Sequence, residues 1–251
     1  MSATLSYVFC LVRGARRSTL RGSKGSMPGG GGLRVIEAGG LWAIVESVPE
    51  AEYGEAALAR GLQNLDWVGP RAIAHERVIE SFLSAPALLP MQLFTLFNSD
   101  DRVVAHVHAD RARIGRILKR VERKVEWGLR LTWNEKDARD KAARQPVRTG
   151  TEFLARKRDV LDVSRKQLAE ARTAANRVYK AIDRTAAASR RRTSLERAAP
   201  GSRLLLDAAF LVPVARSVAF KTAIREQTRT LRGAGIETSL TGPWPAYNFI
   251  Q

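Results

Sequence analysis

The chain has 251 residues, 45% of them apolar, and carries a formal net charge of +17 with a single cysteine, Cys10. That apolar fraction supplies a core and excludes a wholly disordered chain, and the length suits one large domain or two ordinary ones. One thiol excludes an internal disulfide and fits a reducing compartment, and no run approaches the ~20 apolar residues that a membrane helix needs.

In chain order, residues 4–12 predict a buried first strand, with Cys10 a small core residue. The apolar run 5–12 has signal-core length, but Arg13, Arg16 and Arg17 follow it, whereas a secretory signal carries its charges in front. Residues 13–32 are basic and then glycine-rich, the pattern of a flexible loop, and they lack P-loop spacing. Residues 33–37 and 41–48 form a hairpin turning at Gly39-Gly40. Pro49 opens a helix rich in Glu and Ala that runs to about Asp66. A second helix spans residues 70–84, with Ile73, Ala74, Val78 and Phe82 at a 3.6-residue period. These elements predict a small α+β domain over residues 1–84.

The second half starts with an apolar strand over 87–97 and a helix from Asp100 to about Arg123. A strand over 125–133 follows, with Val125, Trp127, Leu129, Leu131 and Trp133 on one face. From Glu152 to about Arg192 there is no Gly or Pro, which predicts a long helix, with a break near Asp183 as the alternative, ended by Pro200-Gly201. A strand over 204–214, a helix over 215–231 closed by Gly233 and Gly235, and a last strand over 236–240 complete the order. Without the long helix this reads βαβ and βαβ, so residues 85–251 predict a second α+β domain. Its single antiparallel sheet would take strands 87–97, 125–133, 204–214 and 236–240, with a basic helical insert at about 150–195. Within the insert, Leu154, Leu161, Leu168, Ala175 and Ile182 recur every seven residues, as for a helix docking along one stripe; an αα-hairpin and a parallel coiled-coil dimer are the alternatives.

The charge lies mainly in one segment: residues 102–200 carry +15, against −1 for residues 1–101 and +3 for 201–251. Such a segment predicts an acidic partner, whether protein, nucleic acid or lipid surface, with Arg156, Lys157, Arg158, Arg165 and Lys166 as candidate contacts. A nucleic-acid-binding protein using segment 102–200 is the competing reading. Sparse aromatic groups there, Phe153 and Tyr179, argue against single-strand recognition, and a solvated helix face explains such runs equally. His106 and His108 with Asp110 invite a metal reading. The two histidines stand two apart on a predicted helix and do not share a face, and no cysteine or third histidine lies near in sequence, so they read as surface polar residues. His75-Glu76 suits helix salt bridges or a domain-interface contact. No catalytic, cofactor-binding or metal-ligating residue is assigned, and no small-molecule ligand. The terminal stretch Thr241-Gly-Pro-Trp-Pro-Ala-Tyr-Asn-Phe249 is the most unusual. Its prolines fix the backbone around Trp244, and Trp244, Tyr247 and Phe249 must meet either the protein or a partner, so all three are also candidate partner contacts. We expect the tail to fold back and bury Trp244.

Several stretches together resemble the gas vesicle protein L/F family. They are Tyr7-Val-Phe, Leu41-Trp-Ala-Ile-Val-Glu-Ser-Val-Pro49, Leu65-Asp-Trp, Ala74-His-Glu-Arg-Val78 and Leu89-Pro-Met-Gln-Leu-Phe-Thr-Leu-Phe97. They continue with Val125-Glu-Trp-Gly-Leu-Arg130, Thr151-Glu-Phe-Leu154, Leu206-Asp-Ala-Ala-Phe-Leu-Val212 and the terminal TGPWPxYxF stretch. The resemblance implies a ferredoxin-like amino-terminal domain, a second α+β domain and no cofactor. It also implies a cytoplasmic role in nucleating or assembling the gas-enclosing shell, through contact with the small shell protein and other accessory proteins. Two departures stand out. The family reads LPLRFGT where this chain has Leu89-Pro-Met-Gln-Leu-Phe-Thr95, without the arginine and the glycine, and the basic middle segment is heavier.

Overall fold

The computed structural model describes residues 3–14, 27–134, 150–193 and 201–250, with the side chains of 150–164 outside the described set. The predicted loop over 13–32 falls mostly outside these residues. The chain divides into two units, one of residues 1–125 with 244–251, the other of residues 126–243. Both mix helices with sheet, so the α+β class holds.

The first unit is built around β1 (Thr4–Arg13), whose residues Tyr7 to Val12 are all buried. Strands β2 (Leu33–Ala38) and β3 (Leu41–Pro49) form the predicted hairpin. β4 (Ala87–Pro90) pairs antiparallel with β1, giving the order β2-β3-β1-β4, and the short β5 (Leu96–Phe97) also pairs with β1. The strand alternates between two cores, and a bulge between Val8 and Cys10 turns Phe9 and Cys10 toward the same one. Tyr7, Phe9, Cys10 and Val12 join one apolar cluster, and Val8 and Leu11 join the other. The first cluster is covered by α3 (Leu65–Ser81) through Val78 and Ile79. The second is covered by α4 (Asp100–Ala109) and α5 (Arg111–Val121) through Val103, Val107, Ile114, Ile117 and Leu118.

This arrangement corrects the predicted boundary at residue 84. Residues 87–97 do not enter the second sheet. The central strand β1 is apolar on both faces and needs neighbours on both edges, and Ala87–Pro90 fills the edge opposite β3. The helices before it are also reapportioned. Short helices α1 (Glu50–Tyr53) and α2 (Glu55–Gly61) precede α3, which starts at the Asn64 cap and carries Pro70 in its second turn.

In the second unit the sheet order is β7-β8-β6-β9, with β6 (Lys124–Asn134), β7 (Ala188–Arg191), β8 (Ser202–Pro213) and β9 (Ile236–Trp244). Helices α6 (Gly150–Asp183) and α7 (Ser217–Thr228) complete it. Among the described side chains of α6 the buried residues are Ala171, Ala175, Val178 and Ile182, a single stripe at alternating three- and four-residue steps that packs on β8 and α7 of the same chain. Of the predicted seven-residue stripe, Ala175 and Ile182 are buried, Leu168 is half-buried, and Leu154 and Leu161 lie outside the described side chains. The helix ends at Asp183, the alternative break point, and does not continue to Arg192. Residues 188–191 become β7 because pairing with β8 outweighs their helical propensity, and the Ser189 hydroxyl donates to the Asp183 carboxylate across the turn. β9 extends past the predicted residue 240 and includes Pro243, which an edge strand tolerates.

Candidate functional site

Residues from four of the resembling stretches converge within the first unit. Tyr7 on β1, His75 and Glu76 on α3, the turn 91–95 and Tyr247 of the tail surround or line a cavity of about 530 Å3. Its geometry follows from one buried histidine. The His75 Nε2 lies 3.2 Å from the Met91 carbonyl, which can only accept, so Nε2 carries the proton. Nδ1 therefore accepts from the Tyr7 hydroxyl at 2.8 Å, and that hydroxyl accepts from the Phe94 N–H at 3.2 Å. The chain of bonds ties the turn 91–95 to both β1 and α3. Burial lowers the His75 pKa to about 4, despite the opposing hydrogen bond to Met91, so the ring is neutral at physiological pH. Burial likewise pushes the Tyr7 phenol well above its ordinary value. With both ring nitrogens engaged, His75 acts as a rigid brace, and the predicted helix salt bridge or domain-interface contact at this residue is corrected.

Phe94 occupies the position where the resembling family reads glycine, and its φ is +63°. A side chain in this left-handed region is strained by about 1–2 kcal/mol. The ring offsets that cost by stacking on Trp67 at 5.3 Å and meeting Tyr7 edge-on at 6.5 Å. Behind it the Arg71 guanidinium lies 4.0 Å over Trp67 and 5.0 Å over Tyr53, and donates to the Glu52 carboxylate at 3.3 Å.

The tail docks on the first unit, but not as expected. Trp244 is 38% exposed, and the buried aromatic is Phe249 at 5%. Strand β9 runs through Trp244, and only after Pro245 does the chain turn into the 3-10 segment Tyr247–Phe249. Tyr247 donates to the Glu76 carboxylate at 2.7 Å, Arg120 donates to the Phe249 carbonyl at 3.1 Å, and Ile250 packs against the core on the α4–α5 side. Burial, and then the hydrogen bond to Glu76, raise the Tyr247 pKa and hold the phenol protonated.

Of the predicted basic contacts, Arg165 and Lys166 are exposed on α6, whereas the side chains of Arg156, Lys157 and Arg158 lie outside the described residues. His106 lines the cavity and packs on Phe97 at 5.2 Å, while His108 is exposed. Among the described residues no group of three or more His, Cys, Asp or Glu could hold a metal, and no helix is long and apolar enough to cross a membrane. Sequence reasoning missed one ion cluster of the second unit. Asp207, 3% exposed, pairs with Arg130 at 3.1 Å and with Arg192 at 2.5 Å, binding neighbouring strands. Its signal was an acid inside the apolar run Leu206-Asp-Ala-Ala-Phe, a place where a carboxylate needs a cation.

The family model for the gas vesicle synthesis protein GvpL/GvpF matches residues 5–251. Gas vesicle protein L of Streptomyces sp. (strain CB03234) is 28% identical over 253 residues, covering 98% of this chain and 92% of the relative. The crystal structure of gas vesicle protein GvpF from Anabaena sp. PCC7120 superposes with a TM-score of 0.70 at 13% identity, over 99% of this chain and 96% of that one. GvpF from Microcystis aeruginosa gives 0.64 at 12% identity over the full length of both. The two solved structures establish likeness of fold, and the match along nearly the whole sequence shows that this chain belongs to the gas vesicle synthesis protein GvpL/GvpF family.

Proposed function

We propose that this protein promotes nucleation and assembly of the gas vesicle shell in the cytoplasm by binding the shell protein and other accessory proteins, without catalysis or a cofactor. The observation that carries the reading is the family match over residues 5–251. Supporting it, the histidine at the centre of the converging stretches has both nitrogens occupied, which suits a scaffold better than a proton carrier. The first unit also exposes Leu62, just after α2, and Leu65 and Ile73 on α3, apolar groups of the kind an aggregation-prone shell subunit needs as a partner. We read the first unit as ferredoxin-like, supported by its strand order β2-β3-β1-β4. We place partner contacts at Arg156, Lys157, Arg158, Arg165, Lys166 and Trp244, with Tyr247 and Phe249 holding the tail in position.

Deleting the gene in a vesicle-forming host and restoring it with a tagged copy tests the reading. Vesicles should vanish and return, and the tagged protein should retain shell protein after washing. Normal vesicles in the deletion strain, or a tagged protein free of shell and accessory proteins, would overturn it.

A further inference from the structure

In the second unit, α7 ends at Thr228 and the chain passes through the 3-10 segment Leu231–Ala234 into β9. Gly235, with φ of 73°, makes the turn. Between the helix end and the strand start lies a cleft of about 770 Å3, lined by Arg225, Arg229, Arg232, Gly235, Glu237 and Thr238 among others. That volume falls within the usual range for ligand sites. The three guanidiniums are exposed, and none makes an ion pair or side-chain hydrogen bond among the described residues. Glu237 is the single acid on the lining, so the cleft keeps an excess of positive charge.

The cleft opens beside an unguarded strand edge. β9 is the terminal strand of the order β7-β8-β6-β9, and among the described residues no strand pairs with its outer side. Glu237, Thr238 and Ser239 are exposed, and the strand carries no lysine; its proline lies at the far end. Unpaired backbone N–H and C=O groups on such an edge are a template for an added strand. The spacing also fits. Side chains on one face of an extended segment repeat at about 6.6 Å, and one four-residue step along a helix, as from Arg225 to Arg229, advances about 6 Å.

We propose that this cleft binds an extended acidic segment of a partner protein, which pairs with the open edge of β9 and sets alternate carboxylates against Arg225, Arg229 and Arg232. A guanidinium grips a carboxylate in a bidentate fork, and three in one cleft select for charge repeated along a strand. Single-stranded nucleic acid is the less suited polyanion, because no aromatic group lines the cleft for base stacking. The inference stands on the cleft alone and holds whichever protein carries the acidic segment.

The test uses the full chain and a fluorescein-labelled peptide of about four Val-Glu repeats, read by anisotropy at about 50 mM salt, where exposed charges are weakly screened. The peptide should bind. Its affinity should fall about tenfold or more in Arg225→Glu/Arg229→Glu/Arg232→Glu, and by a smaller factor in the triple Gln variant. It should also fall when alternate peptide nitrogens are methylated, which blocks edge pairing. Arg111→Glu/Arg116→Glu, on exposed positions of α5, should leave affinity unchanged. Absence of binding, equal affinity in folded triple variants, or indifference to methylation would each overturn the proposal. So would an oligothymidylate of matched charge that binds the same three arginines more tightly than the peptide.

Discussion

At the residue scale, the burial of His75 makes stability depend on pH. Its folded pKa of about 4 lies below the ordinary value of 6.5, so the fold favours the neutral ring. As pH falls through 6.5 the unfolded chain takes up a proton that the folded chain resists, and stability drops until about pH 4. The loss is at most about 3 kcal/mol. Asp100, whose carboxyl is held low by hydrogen bonds from Arg34 and Ser6, adds a loss of the same sign at more acid pH. Urea unfolding at about pH 7.5 and about pH 5 should show the decline in the native protein and a flatter response in His75→Gln. The tail gives a second contrast. Phe249→Ala empties a packed site and should cost about 3–5 kcal/mol. Trp244→Ala removes a partly exposed ring and should lower the melting temperature far less, while weakening shell-protein capture if Trp244 is a contact. Equal melting losses would contradict the placement of the two rings. Burial pushes the Cys10 thiol upward and leaves it unionised, so it serves as a core residue.

At the element scale, the strands of the second unit are tied by Asp207 and its two arginines. Asp207→Asn keeps the shape but removes the charge that Arg130 and Arg192 meet, and with both guanidiniums about one-third exposed the loss should be about 1.5–3 kcal/mol, read by denaturant titration. A loss under about 1 kcal/mol would mean the cluster is solvated. Helix α6 behaves differently. Its buried stripe of Ala171, Ala175, Val178 and Ile182 fixes it to the sheet, while Arg165 and Lys166 project outward. Reversing Arg156, Lys157, Arg158, Arg165 and Lys166 to glutamate should leave the fold intact. If the segment steers an acidic partner, association slows and loses its dependence on salt between about 50 and 500 mM. Unaltered association rates would remove the steering role, and tight, steeply salt-dependent DNA binding lost in the same variant would favour nucleic acid as the partner.

At the scale of the whole molecule, the first unit draws on both ends of the chain. Residues 244–251 belong to it through Phe249, Ile250, the Tyr247–Glu76 hydrogen bond and the Arg120–Phe249 hydrogen bond. Truncation after Pro243 should therefore destabilise residues 1–125, far away in sequence, more than residues 126–243. Limited proteolysis followed by mass spectrometry would show early cuts in 1–125. Cuts confined to the second unit would contradict this division of the chain.

The sequence by itself determined the elements whose patterns are local. The β2–β3 hairpin follows from Gly39-Gly40 between apolar runs and β6 from its alternating Trp and Leu. The seven-residue spacing accounts for half of the buried stripe of α6, Ala175 and Ile182, and packing added Ala171 and Val178. The order of the family stretches was equally local. Tertiary structure decided what those stretches do. Whether residues 87–90 pair with β1 or with β6 depends on which edge lacks a partner, and both choices present the same apolar run. The brace at His75 joins residues far apart in sequence, Tyr7, His75 and Met91, and only the fold brings their polar atoms within hydrogen-bonding distance. The choice of Phe249 over Trp244 as the buried ring turned on where β9 stops, a question of edge pairing that proline and aromatic content leave open. Burial and pairing are properties of surfaces that meet, and the surfaces exist only once distant segments have closed on one another.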